Sequence, residues 1–111
     1  MTGARATGLA IVGCGYVADS YRHCLGFHPQ ALRLAGVWDR DPDRLAAYRA
    51  CWGDRAYGSL DEALGDPDVA IVLNLTDPES HFDVTRAAID AGKNVYTEKP
   101  LAMTHDQACD L

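Results

Sequence analysis

The chain has 111 residues, 48% of them hydrophobic, and its 16 acidic against 10 basic side chains give a formal charge of −6. That length makes one domain, able to bury about two-thirds of its unfolded surface. No apolar run is long enough to span a bilayer, and no Lys/Arg cluster offers a face to nucleic acid or an anionic membrane.

The opening stretch, Met1 to Gly8, lacks the apolar core of an export signal. Leu9–Val12 then reads as a buried strand and runs into Gly13-Cys14-Gly15-Tyr16-Val17-Ala18, a G-x-G-x-x-A turn that opens a helix. The helix is predicted to about Gly26, with Val17, Tyr21, Cys24 and Leu25 on its apolar face and His28-Pro29 as the breaker. Leu32–Trp38 is a second strand. Asp41-Pro42 starts a helix, as a cap and a first-turn proline, which continues to near Cys51 and stops at Gly53. A short strand is expected around Ala56-Tyr57. Ser59 and Glu62 have capping-box spacing for a brief helix ending by Gly65.

Val69–Leu75 is nearly all apolar, as suits a strand covered on both faces. Asp77-Pro78 begins a helix with Val84, Ala87, Ala88 and Ala91 at helical spacing, closed by Gly92. Asn94–Thr97 is a further strand, and Thr104 caps a last helix. Strands alternating with helices imply right-handed crossovers and a doubly wound parallel sheet of about five strands in an α/β domain. The whole of residues 1–111 is read as this one domain, incomplete at its C-terminus because a sixth strand is missing. Cys14, Cys24, Cys51 and Cys109 form no C-x-x-C pair, so they read as reduced cytoplasmic thiols, and no metal site is expected.

The glycine turn carries the first chemical implication. Gly13 permits a tight turn, Gly15 lets backbone approach a pyrophosphate, and Ala18 keeps the helix close to the sheet. Phosphates would sit on unpaired N–H groups at the helix start, a local positive potential that the net charge otherwise denies them. Asp39 ends the second strand, where its carboxylate can accept both adenosine ribose hydroxyls; as an alternative it caps the next helix. A carboxylate there disfavours a 2′-phosphate and so favours NAD over NADP. Arg40 and Arg44 pull the other way, since a nearby arginine can accommodate that phosphate.

Glu98-Lys99-Pro100 follows the last strand, at the sheet edge where doubly wound folds bind ligands. Pro100 restricts the lysine to extended backbone. An ammonium so placed can orient a hydroxyl or carbonyl and relay a proton; otherwise it is a surface lysine beside a loop proline. Asn74 and Thr76 end the central strand and either contact a cofactor or shape the next helix start. His81 is a packing histidine or a ligand contact. Tyr16, beside Val17 inside the turn, packs near a ligand or merely covers the sheet.

Gly13–Ala18, Asp39, Asn74–His81 and the stretch Ala91-Gly92-Lys93-Asn94-Val95-Tyr96-Thr97-Glu98-Lys99-Pro100 together resemble the Gfo/Idh/MocA oxidoreductases, over nearly all of residues 9–111. Two positions depart from the family pattern, Asp77 where proline is frequent and Asn94 where histidine is. The resemblance implies a Rossmann domain binding NAD(P), with Lys99 at the nicotinamide ribose and substrate as the catalytic residue and Glu98 helping to hold the cofactor. It also implies hydride transfer to or from a sugar, polyol or similar small molecule. The resemblance also implies a second α/β domain that closes over the nicotinamide and contributes a catalytic histidine; residues 1–111 are read as not including it, and that domain or self-association would supply the cover. A non-catalytic dinucleotide-binding module is the alternative. A response-regulator-like fold fits the alternation but has no use for Gly13-x-Gly15.

Overall fold

The computed structural model describes residues 6–111, so the reading of Met1 to Gly8 falls largely outside the described residues. Four strands, β1 (Thr7–Val12), β2 (Leu32–Trp38), β3 (Ile71–Asn74) and β4 (Asn94–Thr97), form a parallel sheet in the order β2-β1-β3-β4. The chain winds outward from β1 to β2, then returns to the other side of β1 for β3 and β4. The reversal creates a crevice beyond the C-terminal ends of β1 and β3, where doubly wound folds bind ligands.

Side-chain alternation along the central strand divides the core into two layers. Leu9 and Ile11 point to one face and pack with Ala18 and Tyr21 of α1 (Tyr16–Leu25) and Leu45 and Tyr48 of α2 (Pro42–Trp52). Ala10 and Val12 point to the other, against Ala63 of α3 (Leu60–Gly65) and Val84 and Ala88 of α4 (His81–Asp90). A short helix, α5 (His105–Asp110), follows, capped by Thr104. Among the described residues no helix is long and apolar enough to cross a membrane.

Local signals place most of these elements. Asp41 accepts from the Asp43 amide to cap α2, Pro42 occupies its first turn, and Gly53 ends it at φ 70°. Ser59 caps α3 by accepting from the Glu62 amide; the Glu62 carboxylate turns back to the Gly58 amide, one residue short of a reciprocal box.

Four expectations are corrected. The strand expected around Ala56-Tyr57 is a single bridge from Ala56 to Val37, so the sheet has four strands rather than five. Two backbone bonds of 2.8 Å hold the segment to Val37, whose amide donates to the Arg55 carbonyl and whose carbonyl accepts from the Tyr57 amide; the Tyr57 ring fills the space over Gly36, just past an irregularity in the β1–β2 register. The buried face of α1 is Ala18, Tyr21 and Leu25, while Val17 and Cys24 face solvent. The strand expected over Val69–Leu75 is regular only for Ile71–Asn74. Finally, Pro78–Ser80 forms a separate 3₁₀ turn before α4 begins at His81.

Candidate functional site

The turn from β1 to α1 lies at the crevice. Gly13 adopts φ 102°, and a Cβ there would meet the Leu75 carbonyl carbon at 2.5 Å. Its amide donates to the Trp38 carbonyl at 2.8 Å, locking the turn between β2 and β3. The next amide, of Cys14, donates to Asp39 Oδ2 at 2.8 Å, and the Asp41 amide donates to Oδ1 at the same distance. Asp39 is only 8% exposed, so backbone donors fix its carboxylate at the end of β2. Each oxygen keeps a further lone pair for a ligand hydroxyl. The Cys14 thiol is pushed up to about 12, first by burial and then by Asp39. It is a packing residue.

Gly15 is the opposite case from Gly13. A Cβ there would meet nothing within 4 Å, because its open side is the crevice itself. Gly15 occupies the cap position of α1, and no side chain caps this helix, whereas Asp41, Ser59 and Thr104 cap α2, α3 and α5. The Ala18 amide donates to the Gly15 carbonyl at 3.1 Å, while the Tyr16 and Val17 amides make no hydrogen bond among the described residues, and the helix dipole at this end favours an anion. Tyr16 stands out of the turn at 92% exposure, and Ala18, fully buried, lets α1 lie close to the sheet.

The far wall is built around a buried amide. Asn74 Nδ2 donates to the His81 carbonyl at 2.9 Å and to Thr85 Oγ1 at 2.8 Å, and its Oδ1 accepts from the Thr76 hydroxyl at 2.6 Å. The His81 ring, 1% exposed, lies between two backbone carbonyls, those of Thr76, at 2.7 Å, and Pro100. Asn74 and His81 thus tie the loop after β3 to the loop after β4. On that second loop the Glu98 amide donates to the Asn74 carbonyl, and the Glu98 carboxylate accepts from the Tyr21 hydroxyl of α1 at 2.7 Å. The Tyr21 hydroxyl is held above the usual tyrosine range, chiefly by that bond and then by burial. Lys99 is exposed at the groove wall and, among the described residues, makes no salt bridge or hydrogen bond.

Together these segments enclose a groove of about 600 Å³ along the C-terminal edge of the sheet. It is lined by Gly13, Gly15, Tyr16, Val17, Asp39, Arg40, Thr76, His81, Glu98 and Lys99; Ala18 and Asn74 stand behind the wall and support it. Sequence reasoning missed the Tyr21–Glu98 bond and the pairing of Asp77 with Arg40 and Arg44 across the groove. Neither pairing has a spacing signal, because its partners lie on different segments. The open cradle over Gly15 and the uncapped start of α1, facing a fixed carboxylate at Asp39, fit a dinucleotide.

A parallel sheet reversing at β1, with a glycine turn at the reversal and a groove beyond it, defines a doubly wound domain of the Rossmann class. Residues 7–111 match the GFO_IDH_MocA family model, described as an oxidoreductase family with an NAD-binding Rossmann fold, and the chain belongs to that family. It is 46% identical over 87 residues to the 1,5-anhydro-D-fructose reductase of Ensifer adhaerens, a match covering 73% of this chain and 26% of the relative. It is 29% identical over 113 residues to the inositol 2-dehydrogenase/D-chiro-inositol 3-dehydrogenase of Lactiplantibacillus plantarum, covering 100% of this chain and 32% of that one. The WlbA dehydrogenase of Bordetella pertussis, solved in complex with NADH and UDP-GlcNAcA, superposes with a TM-score of 0.87 at 25% identity, over 95% of this chain and 32% of the other. The chain therefore spans about a third or less of the length of these relatives.

Proposed function

We propose that this chain is the cofactor-binding part of an NAD-dependent oxidoreductase that moves hydride between the nicotinamide and a hydroxyl-bearing carbon of a sugar, polyol or similar small molecule. The observation that carries this reading is the groove, which has donors unpaired at one end of the turn, a fixed carboxylate beside them and an uncommitted lysine across from both. The sugar-type reaction is supported by the names of the relatives. The cofactor supplies the hydride chemistry when bound.

The residues of the chain supply position and proton handling. Amides at Gly15–Val17 hold the pyrophosphate, with Gly13 shaping the turn and Gly15 letting the backbone approach. Asp39 accepts from the adenosine ribose, and Arg40 borders the adenosine side. Thr76 and Glu98 border the nicotinamide half, while Asn74 and His81 fix the loops on which those residues stand. Lys99 is the catalytic residue in this reading: its ammonium orients the substrate oxygen and exchanges a proton there, an effect typically worth 10²–10⁴-fold. Residues 1–111 act as a unit, and contacts that select the substrate come from a substrate domain of the kind the longer relatives have room for. The free thiols at Cys14, Cys24, Cys51 and Cys109 support a cytoplasmic setting.

Titration with NADH, followed by nicotinamide fluorescence, tests the reading with Asp39→Ala as control. Saturable binding that weakens in the variant is the expected result. Absence of binding to a protein shown to be folded overturns it.

A further inference from the structure

We propose that Asp77 is a specificity-determining residue, which holds Arg40 and Arg44 away from a 2′-phosphate and so keeps the groove selective for the dinucleotide without one. This rests on the reading of the groove as a dinucleotide site. Asp77 follows β3 and faces the segment after β2 from the opposite lip. Arg44 Nη1 lies 3.4 Å from Asp77 Oδ1, and Arg40 Nη2 lies 3.9 Å from Oδ2. Arg44 Nε is also 3.8 Å from Asp41.

These two arginines are the guanidinium groups lining the groove; Arg40 follows Asp39 directly and Arg44 stands in the first turn of α2. A 2′-phosphate on the adenosine ribose would enter beside the Asp39 carboxylate and would need both of them. Asp77 opposes that twice, by engaging the arginines and by adding a third carboxylate to those of Asp39 and Asp41. All three partners are roughly half-exposed or more, so each pair is weak and its arginine can be drawn away once the competing charge is gone. A dinucleotide lacking the 2′-phosphate asks nothing of the arginine charges, and the Asp77 pairs leave it unaffected. The Asp77 side chain caps neither the 3₁₀ turn nor α4, so removing its charge leaves the fold its anchors.

The test compares the protein with Asp77→Asn, and with Asp77→Ser as a second variant, titrating each with NADH and NADPH. NADPH affinity is expected to rise about three- to tenfold in both variants while NADH affinity stays within about twofold. Adding Arg44→Ala to Asp77→Asn should abolish the gain. NADH binding that persists with an unchanged NADPH-to-NADH ratio overturns the role of Asp77 and leaves the dinucleotide reading standing. An equal gain for both nucleotides also overturns it, since general charge then explains the effect. Failure of the folded protein to bind either nucleotide removes the dinucleotide reading and this assignment together.

Discussion

The Tyr21 hydroxyl donates to the Glu98 carboxylate across 77 positions of sequence, joining helix α1 to the loop that carries Lys99. The Tyr21 ring also meets Tyr96 edge-on at 6.0 Å, so the strand before that loop is braced by the same side chain. One helix therefore presents the glycine turn at its start and steadies the opposite wall of the groove about one and a half turns later. Tyr21→Phe keeps the ring and removes the bond. It should lower stability by about 1 kcal/mol and weaken NADH binding several-fold, because Glu98 and Lys99 lose their tether. Urea unfolding and NADH titration check both; unchanged binding at reduced stability would make the tie purely structural.

The two glycines of the turn should separate folding from binding. Gly13→Ala forces a side chain into φ 102° and against the Leu75 carbonyl, a strain of about 1–3 kcal/mol before the overlap is counted. Gly15→Ala has an ordinary φ of −80° and open space, so its stability should change by less than about 0.5 kcal/mol. In the proposed site its methyl group would stand where the phosphates approach, and NADH affinity should fall at least about tenfold. Paired unfolding and binding curves for the two variants show the contrast.

The cysteines should divide sharply in reactivity. Cys24, Cys51 and Cys109 are exposed, whereas Cys14 is buried with its thiol pushed up to about 12. The thiolate is the reacting form, so Cys14 should resist alkylation at pH 8 until the chain unfolds. Mass spectrometry after brief treatment with iodoacetamide should find three sites modified in the native protein and four in urea.

Three tyrosines donate to carboxylates, and these bonds make stability depend on pH. Tyr48 and Tyr57 are raised above the ordinary tyrosine value of 10.0 by burial first and then by their bonds to Asp54 and Asp66; Tyr21 is raised chiefly by its bond to Glu98. A raised folded value means stability is fully present below pH 10 and is lost as pH climbs from there towards the folded values. Asp66 is shifted the other way, held below its ordinary value of 3.8 chiefly by the Tyr57 hydroxyl. Its contribution is present above pH 3.8 and is lost as pH falls through the lowered value. Tyr57→Phe should therefore flatten both limbs of a plot of urea midpoint against pH. A curve unchanged on the acid side would exclude the Tyr57–Asp66 bond as its source.

Features that depend on neighbours a few positions apart were legible in the sequence. The caps at Asp41, Ser59 and Thr104, the stops at Gly53 and Gly92, and the strand running into Gly13-x-Gly15 each follow from backbone groups that a nearby residue satisfies or frees. From these came the parallel α/β order and the edge on which the groove would lie. The remaining features depend on contacts between distant segments. Ala56 meets the sheet only through the two backbone bonds its neighbours make with Val37, and the buried face of α1 depends on how closely Ala18 meets the sheet. Asn74 and His81 carry polar atoms whose partners, Thr85 and Pro100, are set by folding. Asp77 faces Arg40 and Arg44 only because the β1–β3 reversal brings two distant loops to one lip. Spacing along a chain encodes contacts within a few turns or one strand. Contacts across the groove arise when the sheet closes and burial forces each polar group to find its partner.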